Sequence, residues 1–208
     1  MPKREKLLNQ LNDENDLGVL LAAQMGGVPQ ELQLIVETAK LDEAVQGLRP
    51  QGQYVVRVLG VFEHQASLGA FKTLKFVDDH PLLYQYNYPP VAVFFRGKPQ
   101  NVHELILDIE QAHASTFGHW RHFVDYLELT QPLNELLLSG GGLLGRMPRP
   151  LAERMAKVFE HHKVEHKLIE GEPDKEDEHG RSHAVKLLLI DNSYFVALDF
   201  SVEELGKI

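Results

Sequence analysis

The apolar residues of the first fifty positions recur mainly at the spacing of an α-helix. One apolar stretch, over residues 17–25, stops at Gly26-Gly27, a pair that is typical of a helix C-terminus. A second stretch opens at Pro29 and places four apolar side chains on one helical face: Leu32, Ile35, Val36 and Ala39. The pattern therefore predicts a helical N-terminal arm over residues 1–50.

Short apolar runs rich in β-branched and aromatic residues begin after residue 53, and such runs are typical of strands. Strands are predicted at 54–62, 71–78, 91–95, 185–190 and 194–200, with an edge strand between Pro81 and Pro89. Because consecutive runs are joined by short turns, the pairing between them is expected to be largely antiparallel.

Helices are predicted in groups rather than in alternation with the strands. Asn101 is a suitable N-cap for a helix over 102–117, and Gly118 suits its C-terminal cap. Further helices are predicted at 120–127 and 151–162, an irregular glycine-rich stretch at 132–150, and a charged loop at 170–182.

This grouping predicts an α+β fold. We expect a largely antiparallel mixed sheet of about five to six strands packed against helices, in a single domain over residues 51–208 that follows the N-terminal arm.

Composition excludes several function classes. The 208 residues contain no cysteine, which excludes disulfides, thiol nucleophiles and cysteine-ligated clusters. A formal charge of −9 argues against nucleic acid and anionic membranes as partners. No apolar run reaches the length of a signal-peptide core or a membrane span, so a cytoplasmic protein is expected.

The eleven histidines are the first candidates for chemistry. His113 falls within the apolar face of the 102–117 helix with Glu110 at its edge, and His162 falls on the apolar line of the 151–162 helix. Imidazole is a common metal ligand and proton carrier, so His113, Glu110 and His162 are candidate catalytic residues. Candidate metal ligands are His113, His119 and His122. The alternative is that the inward-facing imidazoles only form hydrogen bonds with a backbone carbonyl or a tyrosine.

A glycine-rich run over residues 139–146 offers a second candidate site. It formally fits a G-x-G-x-x-G dinucleotide motif, but Pro148 and Pro150 forbid the helix that such a motif must open. The remaining hypotheses are a flexible connector or an anion site that combines exposed backbone N–H groups with two arginines: Gly140, Gly142, Arg146 and Arg149.

Three tyrosines alternate along the predicted edge strand. Tyr84, Tyr86 and Tyr88 would project from one strand face, where they would either pack under a helix or form an interface.

No complete catalytic motif is present in the sequence. The favoured hypothesis is a non-catalytic regulatory, adaptor or ligand-sensing protein that binds a protein partner or self-associates, for example as a homodimer. The alternative is an enzyme or a metal- or cofactor-binding protein that uses an inward-facing histidine/carboxylate pocket. The sequence does not identify a cofactor.

Overall fold

The computed structural model describes residues 2–42, 47–128, 131–171 and 184–205. Its α-helices are α1 (Lys3–Asn9), α2 (Tyr84–Asn87), α3 (Val102–Phe117), α4 (Leu133–Leu138) and α5 (Arg149–His161). Its strands are β1 (Asp16–Met25), β2 (Glu31–Asp42), β3 (Gly47–Gln65), β4 (Gly69–Phe71), β5 (Leu74–Val77), β6 (Pro90–Arg96), β7 (Gly141–Pro148), β8 (Glu165–Glu170), β9 (Lys186–Ile190) and β10 (Ser193–Leu205). Residues 1–80 with 184–208 form one compact unit, and residues 81–183 form a second.

The first unit is built on a seven-stranded antiparallel sheet in the order β4-β1-β2-β3-β10-β9-β5. β4 and β5 lie at opposite ends of this order, yet only residues 72 and 73 separate them in the chain. The sheet must therefore curl until its two ends approach each other. The sheet is larger than the five to six strands predicted, while its antiparallel pairing is confirmed.

The curled sheet encloses its own core because the side chains of each strand alternate between its buried and its more exposed face. On β2, Leu34 and Val36 are buried while Ile35 is only half-buried, and on β3 Tyr54 and Val56 are buried in the same way. Leu34 pairs with Val56, and Val36 pairs with Tyr54. Each fully buried aliphatic side chain contributes about 1.5–3 kcal/mol relative to its exposed state.

The prediction of a helical N-terminal arm is wrong beyond residue 9. Residues 16–42 form the β1–β2 hairpin, and Gly26-Gly27, which suggested a helix end, lie in its turn. Leu32, Leu34 and Val36 also have the two-residue period of a strand, and pairing with β3 selects that alternative.

Helix α1 is the part of the arm that is helical, and it packs on the first unit's core. Leu7 is fully buried there, and the Lys6 ammonium donates to Glu204 Oε1 at 2.6 Å. After the helix, Gln10 Oε1 accepts hydrogen bonds from the Thr38 and Tyr54 hydroxyls at 2.8 and 2.7 Å. Burial raises the pKa of Tyr54 above its ordinary value of 10.0.

The short link between β4 and β5 is held by Asp191, in the turn between β9 and β10. Its carboxylate accepts from the Lys72 and Thr73 amides at 3.0 and 2.8 Å and from the Thr73 hydroxyl at 2.7 Å. Partial burial raises the pKa of Asp191, but these hydrogen bonds outweigh burial, so the pKa lies below its ordinary value of 3.8. The carboxylate therefore helps to close the curled sheet.

We expect Asp191→Ala to lower the free energy of unfolding at neutral pH by about 1–2 kcal/mol, since three hydrogen bonds to an exposed carboxylate are lost. Asp191→Asn keeps a residue that tolerates the backbone φ of +45° and should lose less. Because the folded pKa is lowered, the contribution is present above pH 3.8 and is lost as the pH falls through the folded value. Urea denaturation at several pH values measures this. Equal stability of wild type and Asp191→Ala at neutral pH would contradict it.

The second unit packs helices on a three-stranded antiparallel sheet in the order β7-β6-β8. Val93 and Phe95 of β6, Ile109 of α3 and Phe159 of α5 are all buried in one core, and the Phe95 and Phe159 rings stack at 5.8 Å. The α+β class predicted from sequence is confirmed here as well.

The predicted caps of α3 are present. Asn101 Oδ1 accepts from the His103 and Glu104 amides at 3.1 and 3.2 Å, and Gly118 follows the helix with a φ of +57°. Both local signals identify the helix ends correctly.

In contrast to these caps, the predicted edge strand, the predicted irregular stretch and the predicted helix at 120–127 are wrong. The predicted edge strand is a 3₁₀ helix (Pro81–Leu83) followed by α2, because Pro81 favours a helix start and Pro90 opens the next strand. Its three tyrosines therefore do not lie on one strand face. Tyr84 and Tyr88 are one helical turn apart, with their rings 5.4 Å apart, and Tyr86 is about half a helical turn from each.

The stretch over 132–150 is not irregular but contains α4 and β7, since pairing with β6 extends its glycines into a strand. The helix predicted at 120–127 is reduced to a four-residue 3₁₀ helix, Phe123–Tyr126. The predicted charged loop falls mostly outside the described residues.

Candidate functional site

Helices α3 and α5 of the second unit pack together and bring three potential metal ligands to one place. Leu151, Met155 and Phe159 bury one face of α5, which sets the direction of that helix and the position of its C-terminus. His161 is the last residue of α5, and His162 is its C-cap. Asp108 lies in the middle of α3, beside this helix end.

The ligand atoms of Asp108, His161 and His162 all lie within 4.8 Å of one another. His162 Nε2 is 2.7 Å from Asp108 Oδ2, a hydrogen bond in which the imidazole N–H donates to the carboxylate. The His161 and His162 rings are nearly perpendicular, with centroids 5.2 Å apart. The cluster therefore combines one carboxylate with two imidazoles.

The surroundings of this cluster favour a cation that can be reached from solvent. The His162 side chain is 7% exposed and the Asp108 side chain is 34% exposed, while His161 is exposed. The negative end of the α5 dipole also lies here, and cations are favoured at helix C-termini. The cluster has a buried ligand on one side and an open approach on the other.

Its ligand set fits a transition-metal ion. Zn²⁺ binds imidazole nitrogen and carboxylate oxygen at about 2.0–2.2 Å, which places ligand atoms of a tetrahedral site about 3.4 Å apart. The observed separations are at most 4.8 Å, so small side-chain movements bring the three atoms to that spacing. A metal bound at His162 Nε2 would take the place of the proton that this nitrogen donates to Asp108, because a nitrogen that binds a metal must offer its lone pair.

His113, the leading sequence candidate, is buried at 5% exposure but is not part of this cluster. Its ring lies 5.2 Å from the rings of Phe117 and Phe123 and 5.9 Å from that of Tyr126. Among the described residues, its Nε2 is buried without a hydrogen-bond partner. The inward direction predicted from helical spacing is confirmed, but His162 turns to Asp108 rather than to His113.

This apolar setting disfavours the protonated form of the His113 imidazole. Burial lowers its pKa below the ordinary 6.5; Asp125 opposes that shift, and His122 adds to it. A protonated ring would place a charged N–H donor among aromatic rings, without an acceptor at Nε2.

The other histidine-site candidates are spread over the surface. Glu110 is exposed on α3, and His122 is exposed just before the 3₁₀ helix Phe123–Tyr126. The His119 ring packs on Trp120 at a centroid distance of 4.5 Å. Within the described part of the chain, none of these joins a three-ligand group with His113.

The proposed anion-site arginines are engaged with carboxylates. Arg146 Nε lies 3.2 Å from Glu128, and Arg149 lies 2.7 Å from Glu170 and 3.4 Å from Glu153. Gly140 occupies a turn with a φ of +93°, and Gly142 is within β7. An anion would have to compete with these exposed ion pairs.

Sequence reasoning missed Asp108 and His161. Asp108 precedes His162 by 54 residues, so no local spacing relates them. The adjacent histidines at the end of a helix were the available signal, and their carboxylate partner depends on how α5 packs against α3.

Comparisons of this chain with models of known families, with curated proteins and with solved structures gave no match. No helix within the described residues combines the length and apolar character needed to cross a membrane.

Proposed function

We propose that this protein is a non-catalytic, ligand-sensing protein whose ligand is a divalent transition-metal ion bound by Asp108, His161 and His162. The approach of their three ligand atoms to within 4.8 Å carries the proposal. It keeps the histidine/carboxylate chemistry expected from the sequence but assigns it to a different set of side chains.

The ligand types select the metal class. Two imidazoles and one carboxylate suit Zn²⁺, Ni²⁺ or Co²⁺, whereas Mg²⁺ and Ca²⁺ prefer oxygen ligands throughout. Zn²⁺ is the proposed ion because it accepts a tetrahedral site with three protein ligands and one external ligand.

A metal at this position would add a link between two helices that are already joined by packing, by the Asp108–His162 hydrogen bond and by the Arg154–Ser115 hydrogen bond. An ion that binds the folded state alone stabilises it, by about 2.7 kcal/mol at a free concentration one hundred times the Kd. The bound state would thus differ from the free state in the stability of the α3–α5 pair. We propose that a protein partner or a second copy of the chain recognises this difference.

We expect the wild-type chain to bind one Zn²⁺ near neutral pH, measured by competition with a chromogenic chelator and by a rise in Tm with added zinc. Asp108→Asn and His162→Ala should each weaken binding by about 10–100-fold or more. His103→Ala is the matched control, because His103 is exposed on α3, the helix that carries Asp108, and is not part of the three-ligand group. Zinc affinity that survives His162→Ala, or a wild type that binds no zinc, would contradict the proposal.

An enzyme is the second candidate, and the exposure of His161 and Asp108 supports it. Three protein ligands leave a fourth position for water, which is the arrangement of catalytic zinc sites. Zinc-dependent hydrolysis of an activated ester such as p-nitrophenyl acetate, lost in Asp108→Asn, would favour this alternative. Zinc binding without such an activity would favour the sensing function.

A further inference from the structure

The buried imidazole of His113 lies at the boundary between α3 and the segment 119–128, which follows that helix. On its own helix, the ring lies beside Phe117. From the segment, Phe123 and Tyr126 contribute the other two rings around it. The ring is therefore shielded from water by a stretch of chain that is not part of α3.

Backbone hydrogen bonds and aromatic packing hold this covering segment: the Trp120 amide donates to the Phe117 carbonyl at 3.0 Å, and the Tyr126 and Phe117 rings stack at 5.1 Å. Within its 3₁₀ helix, the Asp125 and Leu127 amides donate at 3.2 Å to the His122 and Val124 carbonyls. Its contacts with β7 include the isolated bridge between Leu127 and Gly145, a 3.3 Å hydrogen bond from the Glu128 amide to the Leu144 carbonyl, and the exposed Arg146–Glu128 ion pair. Half of its ten residues are exposed, and short surface elements open at lower free-energy cost than the strands and helices of a core.

We propose that acidification releases the segment 119–128 from α3, with His113 as the group whose protonation drives the release. In the packed state, a proton on Nε2 has no acceptor among the described residues. In the open state, water solvates the imidazolium, so protonation favours opening.

Burial sets the direction of the effect, and the charged groups around the ring modify it. His122 and Asp125 lie on the covering segment and act in opposite directions on His113. On the neighbouring helices, Glu135 of α4 is exposed, and Arg154 of α5 donates to Ser115 Oγ on α3 at 2.6 Å. The electrostatic effect of His122 lowers the pKa of His113 and therefore adds to the effect of burial.

The sign of the pH dependence follows from the lowered pKa of His113 in the packed state. The open state takes up its proton near the ordinary value of 6.5, so the packed state is favoured above that pH. Its advantage falls as the pH drops below 6.5 and levels off once the lowered pKa of the packed ring is passed.

Hydrogen exchange of the full chain, followed by mass spectrometry between about pH 7.5 and pH 5 and corrected for intrinsic rates, tests this release. We expect amide exchange in 119–128 to rise by about tenfold or more at the lower pH, because protonation of His113 raises the population of the open state. α3 and β6 should keep their protection. The single tryptophan, Trp120, lies in the segment and provides a fluorescence readout of the same step.

His113→Phe should abolish the pH dependence in this segment, because it fills the apolar site without a titrating group. His119→Gln is the matched control, since it removes a neighbouring histidine that contacts Trp120 but should leave the release unchanged. If His113→Phe does not fold, the titration of the His113 ring by NMR in the wild type decides the question. A ring pKa at or above 6.5, unchanged pH-dependent exchange in His113→Phe, or simultaneous loss of protection in α3 and β6 would overturn the proposal.

Discussion

Gly145→Ala is expected to destabilise the second unit by about 3 kcal/mol or more, a large part of the 5–15 kcal/mol typical of a domain. A Cβ at residue 145 would lie 1.9 Å from the Tyr126 carbonyl oxygen and 2.9 Å from the Leu127 Cα. Both are backbone atoms, so rotation of a side chain cannot relieve the clash. Gly145 also pairs with Leu127 and is buried in β7, which leaves the strand little room to move.

Chemical denaturation of Gly145→Ala beside Gly142→Ala checks this expectation. Gly142 lies on the same strand, and a Cβ there would meet the end of the flexible Leu136 side chain at 3.2 Å. The control should therefore lose far less stability. A Gly145→Ala variant as stable as Gly142→Ala would show that residues 126–127 yield easily.

The same substitution bears on the aromatic surroundings of His113. Moving Tyr126 away from β7 would admit water beside the imidazole and raise its pKa toward the ordinary value. In a folded fraction of Gly145→Ala, we therefore expect the pH-dependent release of 119–128 to weaken.

Local signals predict some elements of this fold well. Asn101 and Gly118 identify the two ends of α3, because a side-chain cap and a glycine with positive φ act within one helical turn. The β9–β10 hairpin is likewise predicted from its apolar arms and from the turn at Asp191.

Elements that depend on partners distant in sequence were not predicted. The sequence of β2 fits two patterns. Leu32, Ile35, Val36 and Ala39 fit a helical face, whereas Leu32, Leu34 and Val36 fit a strand face, and pairing with β3 decides between them. β7 is recognisable only through its pairing with β6, since its glycines have low strand propensity. In each case, tertiary pairing outweighs local propensity.

The candidate metal site has the same origin. Helical spacing correctly predicts that His113 faces inward, because the direction of a side chain on a helix depends on α3 alone. Asp108 lies beside His161 and His162 because of the position of the α5 C-terminus on α3. Core packing around Phe159 sets this position. Whether a side chain faces the core is therefore set by its own helix, whereas the approach of several ligands to one another depends on how two helices pack.

Gly18→Ala is the second substitution with a large expected effect, and it tests the closure of the curled sheet. Gly18 on β1 pairs with Phe71 of the edge strand β4. A Cβ at residue 18 would lie 2.1, 2.3 and 2.7 Å from three atoms of the Phe71 ring, which is 3% exposed in the core. The ring cannot turn away without opening that core, so we expect a loss of about 1–3 kcal/mol or more in the free energy of unfolding.

A double-mutant cycle separates this contact from other causes. In a Phe71→Leu background, the far end of the ring is absent, and Gly18→Ala should cost little, giving a coupling energy of about 1–3 kcal/mol. Gly27→Ala is the control for the loss of a glycine in the same hairpin, because a Cβ there meets no atom within 4 Å. If Gly18→Ala costs the same in both backgrounds, the ring of Phe71 does not fill the space above Gly18. The sheet ends would then be joined through the Asp191 hydrogen bonds to residues 72 and 73 without this packing.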